Sequence, residues 1–178
     1  ADCGDELILL DGLASDLCGE AAVIVEESYD YSCATSYVLT RTFTAIDLCG
    51  NTTVGTQTIT VTDTTAPEFT SIPEDYTAEC SDELDLSMPT ATDNCDEVSI
   101  TVEEETIDGE CANEYTLIRT FTASDDCGNA SVATQTITVQ DTTAPEFTSV
   151  PSDETIEFGM EVSDAMAAAV DNCGDVTV

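Results

Sequence analysis

The sequence has no histidine, no lysine and no tryptophan, and it has two basic side chains, Arg41 and Arg119, against 38 acidic ones. Each absence excludes something. Without histidine or lysine there is no Ser-His-Asp or Cys-His site, no Schiff-base lysine, no Walker lysine and no histidine-ligated metal. A net charge of −36 repels phosphate over the whole surface, whereas nucleic-acid binding needs a basic face that displaces counterions. No apolar run approaches the roughly 18 residues of a helical membrane span, so no membrane insertion is expected. There is no basic-then-apolar leader either, so the chain reads as a mature segment or an excised fragment.

The residues present point to a folded protein. The hydrophobic share is 42%, above what acidic disordered segments carry. The 29 threonines are β-branched and favour pleated sheet. Nine cysteines complete the chemical inventory.

The chain repeats itself. The heptapeptide at Asp63–Phe69 recurs at Asp141–Phe147, and the pentapeptide at Arg41–Ala45 recurs at Arg119–Ala123. Both give a period of 78, and residues 34–69 match residues 112–147 at 26 of 36 positions without a gap. That period suits a small β-sandwich domain better than a solenoid unit. Three copies follow: residues 1–62, lacking their first strand; residues 63–140, complete; and residues 141–178, partial. Cut in this way, the chain reads as a window on a longer tandem array.

Period-2 patterning predicts strands at Thr56–Val61, Val98–Glu105, Tyr115–Ser124 and Thr134–Val139, and an earlier one carrying Leu84, Leu86 and Met88. Glu103, Glu104 and Glu105 are expected to end the second of these. No helical stripe of useful length exists. The expected fold is all-β: tandem immunoglobulin-like sandwiches, disulfide-stapled, forming an extended rod.

Ala-x-Asp-x-Cys occurs five times, ending at Cys18, Cys49, Cys95, Cys127 and Cys173. In the predicted sandwich, Cys80 and Cys111 fall at one pole and Cys95 and Cys127 at the other. Pairing within each pole gives Cys80–Cys111 and Cys95–Cys127, and in the first copy Cys3–Cys33 and Cys18–Cys49. Bridged Cα atoms must lie within about 7 Å. Cys173 is left over, so four bridges and one free thiol are expected. Zinc is disfavoured because close Cys-x-x-Cys pairs are missing. Disulfides imply an oxidising compartment outside the cytoplasm.

The Asp-Thr-Thr-Ala-Pro-Glu-Phe segment, the Ala-Thr-Asp-Asn-Cys and Ala-Ser-Asp-Asp-Cys-Gly-Asn loops and the Tyr-x-Leu-x-Arg-Thr-Phe-Thr-Ala strand resemble the hyalin-repeat (HYR) class of immunoglobulin-like domains. The four-cysteine form is similar to tandem repeats of giant Bacteroidetes surface proteins, among them gliding-motility adhesins exported by the type IX system. The resemblance implies an extracellular, cell-surface stalk or filament. Its partners would be neighbouring repeats, with surface polysaccharide or a host or substratum as the adhesion target.

Aspartates are the candidate ligands. The predicted pole collects Asp63, Glu68, Asp93, Asp125 and Asp126, and the next junction would use Asp141, Glu146 and Asp171. Oxygen-only clusters suit Ca²⁺, and the linker is similar to the Asp-rich junctions of cadherins. The competing reading is that these aspartates cap turns by accepting backbone N–H bonds. Asn51 and Asn129 lie in N-glycosylation sequons, and Thr64 and Thr142 look like Asp-Thr-x O-glycan acceptors. Arg41 and Arg119 are expected to pack their stems on the core and pair a carboxylate bidentately.

No catalytic residue is assigned, because acid pairs without an apolar cleft or an aromatic platform do not define a glycosidase. The reading is a non-catalytic stalk segment. The alternatives are a filament subunit completed by strand exchange, with Glu146–Phe158 as the donated strand, and a calcium-dependent carbohydrate- or protein-binding module.

Overall fold

A computed structural model of the chain describes residues 3, 6–17, 19–95, 97–111, 113–161, 164 and 166–177. It is all-β, with no helix among these residues. The strands are β1 (Ala21–Tyr31), β2 (Tyr37–Asp47), β3 (Thr52–Val61), β4 (Glu68–Ser71), β5 (Tyr76–Glu79), β6 (Thr90–Thr92), β7 (Ser99–Asp108), β8 (Tyr115–Ser124), β9 (Ala130–Gln140), β10 (Glu146–Ser149) and β11 (Ala168–Val170).

The 78-residue period is visible in these elements. β2 and β3 correspond to β8 and β9, β1 to β7, and the β4–β6 pair to the β10–β11 pair. β1, β2 and β3 form one antiparallel sheet; the central repeat contributes a sheet of order β5-β9-β8-β7 and a separate short β4–β6 pair. β4 and β6 bulge between Phe69 and Ser71, and β10 and β11 bulge at the equivalent Phe147 and Ser149.

Alternation works as the sequence demands on β8. Leu117, Arg119, Phe121 and Ala123 are buried on one face while their neighbours are partly exposed. Leu117, Ile137 and Val139 form a core packed by Tyr76, Leu84 and Tyr115. The chain divides into two compact units. One holds Ala1–Ser71, Pro89–Thr101 and Thr122–Val132, and the other Ile72–Met88, Val102–Phe121 and Ala133–Val178. Each unit draws residues from more than one sequence repeat.

Three strand expectations are corrected. β7 does not end at Glu103–Glu105 but runs through them to Asp108. Glutamates at an exposed strand position cost little because they remain solvated. The segment carrying Leu84, Leu86 and Met88 forms no strand, because Arg119 takes its carbonyls: Nη2 donates to Leu86 O and Nη1 to Ser87 O. Of Glu146–Phe158, only Glu146–Ser149 is strand, since Pro151 lacks the N–H a ladder needs.

Both arginines are buried, Arg41 at 3% and Arg119 at 2% exposure. Each pairs its glutamate through Nε alone, to Glu27 at 2.9 Å and Glu104 at 3.0 Å, not bidentately as expected. Arg41 Nη1 also donates to Leu10 O and Gln57 Oε1, while Arg119 Nη1 donates to Ser87 O and Gln135 Oε1 and its Nη2 to Leu86 O. Each guanidinium also lies over the following phenylalanine, at 5.1 Å from Phe43 and 5.0 Å from Phe121, a favourable cation–π placement.

The disulfide pairing is the largest correction. The bonds are Cys3–Cys95, Cys33–Cys127 and Cys80–Cys173. Cys3–Cys33, Cys80–Cys111 and Cys95–Cys127 do not form. Cys49 and Cys111 are exposed free thiols, so Cys18–Cys49 does not form either; Cys18 itself lies outside the described residues. The reason is where the chain goes after β9. β5 runs parallel to β9 with Glu79 opposite Gln140, and Cys80 N–H donates to Gln140 O at 3.2 Å. Cys80 therefore sits where the chain enters the linker to the next copy, within reach of that copy's Asp-Asn-Cys loop.

Candidate metal centre at the cysteine loops

Aspartate is used in one way at the cysteine loops and the linkers. Asp47 Oδ1 accepts from Cys49 N, Asp93 Oδ1 from Cys95 N and Asp171 Oδ1 from Cys173 N, at 2.8–2.9 Å. Asp63 and Asp141 accept from Thr65 N and Thr143 N in the linkers, each at 3.1 Å. Aspartate suits this role because its short side chain reaches the backbone two residues on. The turn-capping role expected for these residues is thus present.

The longer loops add a clamp. Asp125 accepts Asn129 N and Asn129 Nδ2, each at 2.8 Å, and Gly128 between them has φ +90°, a conformation that suits glycine. Asp47 and Asn51 repeat the arrangement at 2.7 and 2.6 Å, around Gly50. Burial of Asp125 acts to raise its carboxyl pKa, but the bonds from Asn129 outweigh it, and the pKa lies below the ordinary value. Asp47 is also lowered, first by its bond from the Asn51 side chain.

These turns bring three carboxylates together. Oxygens of Asp63, Asp93 and Asp125 lie within 4.8 Å of one another. Asp63 and Asp125 are buried, at 6% and 8% exposure. Asn129 ties the group by donating to Asp63 O at 3.3 Å, and Ser131 Oγ donates to Pro67 O. Two other acidic groupings include Cys80 with Cys173, or Cys3 with Cys95. Their sulfurs are consumed in disulfides and cannot act as thiolate ligands. Among the described residues, the grouping of Asp63, Asp93 and Asp125 alone has an oxygen-only donor set. Hard oxygen donors fit Ca²⁺, which takes six to eight, the balance coming from carbonyls and water.

The other expected ligands fall elsewhere. Glu68 is exposed on β4, Asp126 is exposed beside Asp125, and Glu146 is exposed on β10. Asp141 and Asp171 line one concavity with Cys111 and Cys173. Asn51 and Asn129 spend their amides on the aspartate clamps. Thr64 is exposed, and Thr142 Oγ1 donates to Glu79 Oε1, a bond that leads the lowering of the Glu79 pKa.

Sequence reasoning missed Ser36. It is buried at 5% exposure, its hydroxyl accepts Asp63 N–H at 2.7 Å, and it touches Cys127 Sγ at 3.4 Å. No repeat signal marks it, because the equivalent residue is Glu114.

Taken together, the fold and site define an acidic, all-β, disulfide-bonded protein of tandem repeats. Residues 69–139 match the family model of the HYR-like domain with 4 cysteines, a segment that takes in Cys80, Cys95, Cys111 and Cys127. No curated protein matches the chain.

Proposed function

We propose that this chain is a structural, non-catalytic segment of an extracellular adhesin stalk or filament, displayed at the cell surface and built of immunoglobulin-like HYR repeats. The observation that carries the reading is that all three disulfides join cysteines of different 78-residue copies. A tandem chain stapled this way resists extension even when individual strands come loose, which suits an anchor under tension.

Stretching the chain between its ends tests the mechanical part. With the bonds intact, the covalent path from Cys3 to Cys173 runs through both outer disulfides and the short Cys80–Cys95 segment. Extension should be about 9 nm oxidised and about 60 nm after reduction. Equal extension in both states would sink the reading. Antibody labelling of intact source cells tests the location; signal only after permeabilisation would oppose it.

Calcium is part of the proposal. Asp63, Asp93 and Asp125 would hold the ion, which would offset the repulsion of three clustered carboxylates and stiffen the loops they cap. A calcium-dependent rise in melting temperature, abolished by chelator, is expected. An unchanged midpoint at millimolar calcium would remove the metal from the proposal.

A further inference from the structure

The three disulfides obey one rule. Cys95 and Cys173 are 78 residues apart and occupy equivalent loops. Each is bonded to the cysteine that opens the preceding copy, Cys3 and Cys80 respectively. The remaining bond joins Cys33 to Cys127 of the next copy. Cys33 is equivalent to Cys111, and Cys127 is equivalent to Cys49. The two exposed free thiols are therefore the two halves of this last bond type, each without its complement.

The surroundings of Cys111 repeat those of Cys33. Cys111 lines a concavity with Asp141, Pro145, Asp171 and Cys173, equivalents of Asp63, Pro67, Asp93 and Cys95. In the first set the Asp125–Ser131 segment is seated. Asp125 joins Asp63 and Asp93, Asn129 donates to Asp63 O, and Ser131 donates to Pro67 O. In the second set Cys111 is exposed and carries no disulfide. On the other half, the Asp47–Asn51 loop already holds the clamped conformation of Asp125–Asn129.

We propose that Cys111, with Asp141, Pro145 and Asp171, is a covalent docking site for the Asp-x-Cys-Gly-Asn loop of a further repeat of this kind, and that the Cys49 loop is such a ligand. The bond forms by exchange. The Cys111 thiolate attacks the loop cysteine's sulfur, held as a mixed disulfide with glutathione. The new S–S bond forms as the old one breaks, and glutathione departs as the thiolate and takes up the proton, with no net oxidation. Carboxylates around Cys111, Glu114 first, hold its thiol pKa above the ordinary value. Small reagents therefore meet a slow thiol at neutral pH, which keeps the background low.

The test uses the full chain and a peptide of residues 122–132 carrying its cysteine as the glutathione mixed disulfide. Labelling is read residue by residue by mass spectrometry. Cys111 should react about tenfold faster with this peptide than with one carrying Asn129→Ala and Ser131→Ala, the worth of the two neutral hydrogen bonds their equivalents make to Asp63 O and Pro67 O. Cys49 should show no preference between them. Equal rates for the intact and substituted peptides at Cys111, or the same preference at Cys49, would overturn the docking site.

Discussion

Cys33 and Cys127 are covalently joined across 94 residues of sequence, with Cα atoms 5.2 Å apart. Ser36 and Thr35 flank the bond, each with its hydroxyl 3.4 Å from Cys127 Sγ. The bond thus closes a long loop of the unfolded chain while sitting in a polar pocket of the folded one.

Proteolysis without reduction should release peptides linking Cys3 to Cys95, Cys33 to Cys127 and Cys80 to Cys173. Finding Cys80 linked to Cys111 would show that pairing stays within one copy. Replacing both Cys33 and Cys127 by serine should cost about 3–5 kcal/mol in urea unfolding, because loops of this length lose the most chain entropy on closure.

Arg119 and Glu104 should respond unequally to substitution. Arg119→Met strips Leu86 O, Ser87 O and Gln135 of their donor in a buried setting, and about 3 kcal/mol or more of stability should be lost. Glu104→Gln touches a side chain 44% exposed and should cost under about 1 kcal/mol. Equal losses would mean that the ion pair, not the carbonyl network, fixes the arginine.

Acid should weaken the cysteine loops. The Asp125 and Asp47 pKa values are depressed on folding. Their contribution is therefore fully present above the unfolded carboxylate value near pH 4 and is lost as pH falls through the folded values. Carboxyl NMR titration should place Asp125 below the ordinary range, and Asn129→Ala should raise it. No movement on removing the amide would show that Asn129 is not the stabilising partner.

Gly128→Ala probes conformation with little steric interference. Its φ is +90° and a Cβ would meet nothing within 4 Å, so the expected loss of about 1 kcal/mol comes from the left-handed backbone alone. Gly55→Ala, equally open but without a positive φ, should be nearly neutral. Thermal melts of the pair should separate them.

Much of this was legible in the residues. Alternation placed β8 at Tyr115–Ser124, and the recurrent Ala-x-Asp-x-Cys signalled capped turns. The segment around Leu86 was misread because apolar spacing cannot register that a buried arginine will claim its carbonyls. Ser36 was invisible because its role depends on contacts with Asp63 and Cys127, far along the chain.

The sequence by itself determined the all-β class, the 78-residue repeat and the existence of a disulfide framework, since these follow from local period, self-similarity and composition. Tertiary structure decided which cysteine meets which and which acids converge. Equivalent cysteines are indistinguishable along the chain, and only the parallel approach of β5 to the end of β9 carries Cys80 past its own copy to Cys173. The scarcity of positive charge has a structural counterpart as well. With two cations to 38 acids, Asp63, Asp93 and Asp125 are held by backbone N–H groups and amides, and it is the fold that gathers them.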